Sequence, residues 1–432
     1  MPKWGFGVKT VILFLGLLLP ILTIHYGTER SSNWLIVSYL VAFISYLVFY
    51  KKVDLNFNQL LLLAIVMRVL LFFGSPRLSD DYYRFIWDGQ IWVEGINPYS
   101  STPADLMNEL PAGYDELYQR LNSPEYHSTY PPLSQYIFSI PAWFGIKDVF
   151  LSMTLIRIVL LLFEVAAIYL LFQLTSDSSK VMIYALNPLV ILELIGNLHF
   201  EGLVVFFVLL AGWLYQKEQW RKAAVALSLG ILAKLTPLMF LPVLLKKTGF
   251  QRAAIGYIII GSILVGLSFP ILDFEILKGM FSGLDLFFRK FEFNAGLFFL
   301  IRETGFWVMG YDIVQTAGPR MSYAAFAIIM VYSFVVVNRN TDWFKALTLV
   351  LFVQLILATT VHPWYVIPLI AFSCMTGYAF PIVWSFLAVL SYIGYSSAGY
   401  THPMLWIALE YSVIMGVGFY EIIKRKPLLP YV

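Results

Sequence analysis

Residues Val149–Leu174 read VFLSMTLIRIVLLLFEVAAIYLLFQL, a stretch that is apolar along nearly its whole length. A helix of about 20 apolar residues crosses the ~30 Å hydrocarbon core of a bilayer, so this stretch is long enough to span it. The chain as a whole is 59% hydrophobic and 13% charged, with a mean hydropathy of +0.76, which argues strongly against a water-soluble globular domain. No strand-period alternation competes with this pattern. The sequence therefore predicts an all-α, polytopic integral membrane protein.

Similar apolar runs recur along the chain and predict about 13–14 transmembrane or membrane-embedded helices in all. The other candidates are 8–26, 33–50, 58–74, 181–196, 199–215, 222–233, 236–246, 253–271, 318–337, 343–361, 364–378, 381–397 and 403–423. We expect one membrane domain over 1–432. Its largest polar insertions are 75–148 and 272–317, predicted as extracytoplasmic loops that carry short interfacial helices.

Lysine and arginine collect in alternate loops if 222–246 is a hairpin that enters and leaves the membrane on one side. Because positively charged loops stay on the cytoplasmic side, both termini are expected to be cytoplasmic and the polar clusters extracytoplasmic. The protein is then expected in a bacterial cytoplasmic membrane, in contact with membrane lipids. The net charge of +3 is small and dispersed, which argues against a nucleic-acid partner.

The segment SDDYYRFIWDG, Ser79–Gly89, directly follows a membrane-length apolar run. Asp80 and Asp81 would lie at the border between membrane and water, where partial desolvation suits a carboxylate to act as a general base. Arg84 and Asp88 follow at helical spacing, and the flat ring of Trp87 suits contact with a sugar. The alternative is a solvated loop that only ends the preceding helix.

Several further polar residues interrupt apolar sequence and are candidate substrate-binding residues. Ionisable groups at membrane depth usually face a polar cavity or a partner. The spacing of His199 and Glu201 does not place them on one helical face, so a metal pair is disfavoured and no metal ligands are predicted. A capped turn or a helix start is the alternative for several of them. The candidates are His127, Tyr130, Asn197, His199, Glu201, Asn294, His362 and Trp364.

Four cations are candidates for binding a phosphate group. Lys234 lies in GILAKLTPLMFLP, where Pro237 and Pro242 break an apolar stretch and could direct the lysine and free amides at an anion. Its alternative is a lysine that reaches toward lipid headgroups. FFRKFEFNAGLFFLIRE, Phe287–Glu303, mixes cations with aromatic residues, as in sites for phosphate-bearing lipids or in a plain interfacial helix. Its three cations are Arg289, Lys290 and Arg302.

Taken in order, these motifs resemble the glycosyltransferase C superfamily over roughly two thirds of the chain, from Ser79 to Trp364. The sequence is most similar to the polyprenyl-phosphate-mannose-dependent mannosyltransferases, both bacterial ones and the first mannosyltransferase of glycosylphosphatidylinositol synthesis. The family's acidic motif is often Asp-x-Asp, whereas here Asp80 and Asp81 are adjacent and Tyr82 follows. Alignment on the neighbouring Tyr83-Arg84 favours Asp80 as the base, but both remain candidates.

The resemblance implies an inverting hexosyltransferase, with mannose as the expected sugar, a polyprenyl-phosphate-linked donor and a lipid or glycan acceptor. Asp80 or Asp81 would take the proton of the acceptor hydroxyl, and the cations would stabilise the departing phosphate. No cofactor is expected, and a divalent ion bridging carboxylates and phosphate is the less favoured version. A transporter, or a polymerase or ligase of lipid-linked sugars, is the alternative class.

Overall fold

The computed structural model describes residues 4–107, 110, 113–269, 291–424 and 427–429. The first group of helices comprises α1 (Val8–Gly27), α2 (Asn33–Lys52), α3 (Phe57–Val69), α4 (Asp81–Val93), α5 (Pro103–Leu106), α6 (Asp115–Tyr118), α7 (Pro132–Trp143), α8 (Val149–Thr175), α9 (Ser178–Ala185) and α10 (Pro188–Ile191). The second comprises α11 (Glu201–Gln216), α12 (Trp220–Ala233), α13 (Leu241–Thr248), α14 (Phe250–Ser268), α15 (Gly296–Met309), α16 (Val314–Val331), α17 (Trp343–Ile356), α18 (Ile367–Thr376), α19 (Phe380–Leu387) and α20 (Met404–Lys424).

Short non-α elements separate several of these helices. There are 3-10 turns at Thr236–Phe240, Pro363–Val366 and Ala388–Gly394, π-helical turns at Leu192–Gly196 and Tyr332–Val336, and an antiparallel pair of β1 (Tyr395–Ser396) with β2 (Gly399–Tyr400). The expected continuous helix over 381–397 is therefore wrong, because its second half tightens into a 3-10 turn and a hairpin.

The all-α, polytopic membrane architecture is confirmed. Within the described ranges, six helices are long and apolar enough to cross a membrane, or seven if the bent pair Ser178–Ala185 and Pro188–Gly196 counts as one span. Shorter apolar helices, among them α3, α11 and α17, add to this set. The predicted spans 58–74 and 343–361 are shorter than expected, since their helices end at Val69 and Ile356.

The bend of 53° between α9 and α10 comes at Asn187-Pro188. Asn187 caps the new helix by accepting from the Leu189 amide at 2.9 Å, and Pro188 occupies the first helical position, where a missing N–H costs least. The π-helical turn then ends at Gly196. The chain leaves this broken span at Asn197, close to the predicted site residues that follow.

The large polar insertion folds as α4–α7, with α4 packed directly on α7. The rings of Phe85 and Phe138 stack with centroids 4.5 Å apart and planes 5° from parallel. Gly89 faces the main chain of α7, because a Cβ at this position would lie 2.0 Å from the Phe138 carbonyl oxygen. The contact brings two backbones together and leaves room only for glycine, and it sets the direction in which α4 leaves Asp81.

We expect Gly89→Ala to lower the thermal unfolding midpoint of the full-length protein in detergent. The methyl group must push α4 from α7, and overpacking of this kind costs typically 1–3 kcal/mol. Gly261→Ala in α14 is the matched control, because a Cβ there meets nothing within 4 Å. Equal midpoints for the two variants would contradict the close approach of α4 and α7.

Candidate active site

Asp80 and Asp81 lie at the beginning of α4, where Asp80 is the residue before the helix and Asp81 its first residue. Asp80 forms an ion pair with Arg30, which comes from the loop between α1 and α2. The Arg30 guanidinium also lies over the Tyr395 ring, 4.9 Å from its centroid. Asp81 accepts a hydrogen bond of 3.0 Å from the Asn122 side-chain amide. The two adjacent aspartates therefore have different partners.

A second ion pair joins Lys234, at the end of α12, to Glu201, the first residue of α11. The Lys234 ammonium lies 4.6 Å from the centroid of the Tyr365 ring. Glu201 is buried, and its Oε2 atom has no hydrogen-bond partner among the described residues. Lys234 keeps 23% of its side chain exposed, so a ligand can reach it.

The charge of Asp81 acts on two tyrosines, Tyr130 and Tyr395. Burial raises the pKa of Tyr130, and the negative charges of Asp81 and Glu201 raise it further. Burial also raises the pKa of Tyr395; Arg30 opposes this, while the charges of Asp81 and Asp80 add to it. Because such effects fall with distance, Asp81 is near both tyrosines.

A continuous series of aromatic rings in contact runs past both ion pairs. The shortest step joins His199 to Trp364, with centroids 3.6 Å apart, and His362 follows at 4.3 Å from Trp364 with nearly parallel planes. The later steps of 4.5, 4.9 and 4.8 Å lead through Phe293, Tyr400 and Tyr395. Three of the predicted residues, His199, His362 and Trp364, are therefore in direct contact.

The buried carboxylate of Glu193 joins three residues beside the ring series. It accepts hydrogen bonds from the Tyr392 hydroxyl at 2.9 Å and the Asn197 amide at 3.1 Å, and His199 Nε2 lies 3.4 Å away. Asn197 in turn accepts from the Leu78 backbone amide at 3.2 Å. Asn197 thus ties the broken span to the segment that leads into Asp80.

The profile of a family described as "Alpha-(1->6)-mannopyranosyltransferase, N-terminal domain" matches residues 7–247, more than half of the chain. The chain belongs to this mannosyltransferase family. It is a membrane glycosyltransferase, and mannosyl transfer is the reaction of its family. A search of curated proteins gave no match. The matched part of the transferase contains both ion pairs, whereas the ring series reaches beyond it to Tyr400.

Four other predicted residues lie in the α4–α7 segment and contact other residues of the same segment. Arg84 donates to Asp88 at 2.7 Å and to two backbone carbonyls, and the fully buried Asp88 also accepts from Ser128 and Gln135. The Trp87 ring is buried against Tyr114 and Tyr118. His127 is half-buried, and desolvation followed by the Arg84 charge lowers its pKa. These contacts hold α4 to the segment before α7.

The predicted phosphate ligand Arg302, in α15, has a more acidic environment than Lys234. Arg302 lies 3.2, 3.3 and 3.7 Å from carboxylate oxygens of Glu292, Asp312 and Glu303, so negative charge already exceeds its own. Asn294 donates to Glu410 in α20. Arg289 and Lys290 lie outside the described residues.

Sequence reasoning missed Arg30, Asn122 and the tyrosines at 365 and 395. Arg30 had a signal, because it is a cation in a loop that the charge alternation assigns to the outer side. Asn122 and the tyrosines gave none, since their partners are distant in sequence. No group of three or more His, Cys, Asp or Glu that could hold a metal occurs in the part of the chain that the structure describes.

We expect Glu292→Gln to change the pH dependence of stability. Burial raises the pKa of Glu292 from its ordinary 4.5 to about 7, with Arg302 opposing and Asp312 and Glu303 adding to the rise. Between these values the folded wild type binds more protons than the unfolded chain, so its stability falls as pH rises from 4.5 to 7. The Glu292→Gln variant lacks this loss of stability, because glutamine does not titrate.

The unfolding midpoint of Glu292→Gln minus that of wild type should therefore increase across this window and level off above pH 7. Gly261→Ala, which changes no titrating group, should show a constant difference in the same buffers. A flat curve for Glu292→Gln would refute the assigned environment of Glu292.

Proposed function

We propose that this protein is an inverting mannosyltransferase that takes mannose from a polyprenyl-phosphate-linked donor. The acceptor is a lipid or glycan hydroxyl, reached from the extracytoplasmic face. The observation that supports this best is a pair of ion pairs, Arg30–Asp80 directly beside Asp81 and Lys234–Glu201, each with its cation against a tyrosine ring. A reaction of this kind needs a base on one side of the sugar and a cation near the phosphate on the other.

Asp81 is the base in this proposal. Asp80 has one carboxylate oxygen engaged by the Arg30 guanidinium, so this oxygen is already occupied by a donor. Asp81 has no cationic partner among the described residues and accepts one side-chain hydrogen bond, from the neutral Asn122 amide. It can take the proton of the acceptor hydroxyl as the oxygen attacks the anomeric carbon. Attack from the face opposite the phosphate inverts the configuration.

Lys234 is the cation for the donor phosphate. The phosphodiester of the donor has one negative charge, and the departing phosphate monoester gains a second as the sugar–oxygen bond breaks. A cation near that oxygen stabilises the transition state more than the bound donor, which is what accelerates the reaction. Glu201 holds the ammonium in place. Its unpartnered Oε2 can accept a hydrogen bond from a sugar hydroxyl.

The proposed side of the membrane follows from the two ends of the helices. Lys247 donates to the backbone carbonyls of Arg339 and Thr341, so the loops rich in lysine and arginine meet at one end of α13. Lys234 lies just ahead of α13, beyond its other end, and pairs with Glu201. Since cationic loops stay in the cytoplasm, this arrangement supports an extracytoplasmic site.

The linkage in this proposal is α-(1→6), by analogy with the family description. The accepting oxygen would then be the primary hydroxyl of a mannose or a similar sugar. Such a hydroxyl is a weak acid, so its attack depends on a general base more than on an already ionised nucleophile.

The first test is transfer of radiolabelled mannose from synthetic polyprenyl-phosphate-mannose to a mannoside acceptor by the purified full-length protein. We expect Asp81→Asn to lower kcat by about 10²–10⁴-fold, the usual contribution of a general base. Asp80→Asn should retain more activity than Asp81→Asn. Asp88→Asn is unsuitable as a control, because Asp88 is buried between α4 and α7 and its loss would disturb the fold.

Full activity of Asp81→Asn would end the assignment of the base. Absence of transfer by wild type, together with movement of lipid-linked sugar across liposomes, would instead support a transporter.

Lys234→Met, which keeps the length and removes the charge, should lower kcat at saturating donor by at least about tenfold, because its contact strengthens as the phosphate gains charge. Lys217→Met, at the opposite end of α11, is the matched control and should leave kcat unchanged. A variant that raises only KM would show that Lys234 binds the donor without stabilising its departure.

A further inference from the structure

We propose that Arg30 is a positioning residue which neutralises Asp80 and thereby leaves Asp81 as the single carboxylate available as base. This inference rests on the proposed function, because it concerns the same acidic pair. It assigns a role to the loop between α1 and α2, which lies 50 residues before the motif it contacts.

The first support is the geometry of Arg30. One terminal nitrogen of its guanidinium donates to Asp80 Oδ2, and the face of the group lies on the Tyr395 ring. The Arg30 side chain is 26% exposed and that of Asp80 38% exposed, so both are partly withdrawn from water. Aromatic contact and ion pairing together hold the guanidinium in one orientation.

The second support is that Asp80 has no role as a helix cap. Residues at this position usually accept from an amide of the first turn, but the Asp80 side chain makes no such hydrogen bond. The amide of Asp81 instead donates to Ser79 Oγ at 3.3 Å. Asp80 is therefore directed away from α4 and toward the loop of Arg30.

Charged and titratable groups face the acidic pair from several elements. Arg30 and Tyr395 face Asp80 from the α1–α2 loop and the hairpin, and Tyr392 adds a hydroxyl from the 3-10 turn before it. Tyr82, Tyr83 and Arg120 lie on the α4–α6 side. The charge of Asp81 also acts on Tyr130 and Tyr365, which are near the Glu201–Lys234 pair as well. Arg30 is the cation in direct contact with Asp80, so its removal changes the balance of charge there most.

The chemical consequence has a definite sign. Without Arg30, Asp80 is an unbalanced negative charge beside Asp81, and like charges in one site favour the protonated form. Asp81 would then need a higher pH to become ionised. Without Asp80 but with Arg30 present, an unpaired cation would favour ionised Asp81 at lower pH. The two single changes should therefore move activity in opposite directions along the pH axis.

The test is the pH profile of kcat/KM for mannosyl transfer by the full-length protein. We expect Arg30→Gln to move the acid limb upward by about one pH unit or more, and Asp80→Asn to move it downward. The double variant, which has neither charge, should return toward wild type. Arg30→Lys keeps the charge and should hold the limb near its wild-type position. Arg252→Gln, which breaks the exposed pair with Glu218, is the matched control and should not move it.

Three outcomes overturn the proposal. If Arg30→Gln lowers activity equally at every pH and Asp80→Asn in that background restores nothing, Arg30 only holds loops together. If Arg30→Gln does not fold, an unmoved acid limb in Asp80→Asn alone contradicts the proposal. If wild type transfers no mannose from any polyprenyl-phosphate donor, the proposed function fails as well, which separates that result from the first two.

Discussion

Four backbone carbonyls at the ends of two helical segments accept hydrogen bonds from one buried guanidinium, that of Arg157 in α8. Its nitrogens donate to the carbonyls of Ile195 and Gly196 at 2.8 and 3.1 Å, and to those of Phe72 and Gly74 at 3.1 and 2.8 Å. A chain that breaks its helices within an apolar surrounding must satisfy the freed groups internally. Arg157 does so for the broken span and for the turn after α3 together, and it fixes the two segments that lead to Glu201 and to Asp80.

Ion pairs and aromatic rings have different roles in the candidate site. The two ion pairs supply the charges of the site, whereas the ring series from His199 to Tyr395 joins segments that are distant in sequence. Phe293 joins the series through backbone hydrogen bonds with the 359–361 segment as well as through its ring. Flat rings suit contact with a sugar.

The sequence predicted the class of fold and the region of the site better than the contacts within it. Apolar length is a local property, so the membrane helices and the exceptional polar residues between them could be identified. The partner of Asp80 lies 50 residues earlier and the aromatic partner of Lys234 lies far later, and neither spacing has a local pattern. Arg302 is a further example: a cation among aromatic residues predicted a phosphate ligand, and the three carboxylates that fold around it were not apparent from the sequence. The Arg84–Asp88 pair was visible as helical spacing, though not its burial.

Three ion pairs of the protein are synthesised earlier than most of the aromatic rings of the site. Arg30 precedes Asp80, Glu201 precedes Lys234, and Arg68 precedes its buried partner Glu164, all before residue 247. The rings of Phe293, His362, Trp364 and Tyr395 emerge much later. An unpaired charge is costly inside a bilayer, whereas an aromatic ring without its final contacts is stable there. The nascent chain can thus pair these six charged residues before these aromatic rings of the site are synthesised.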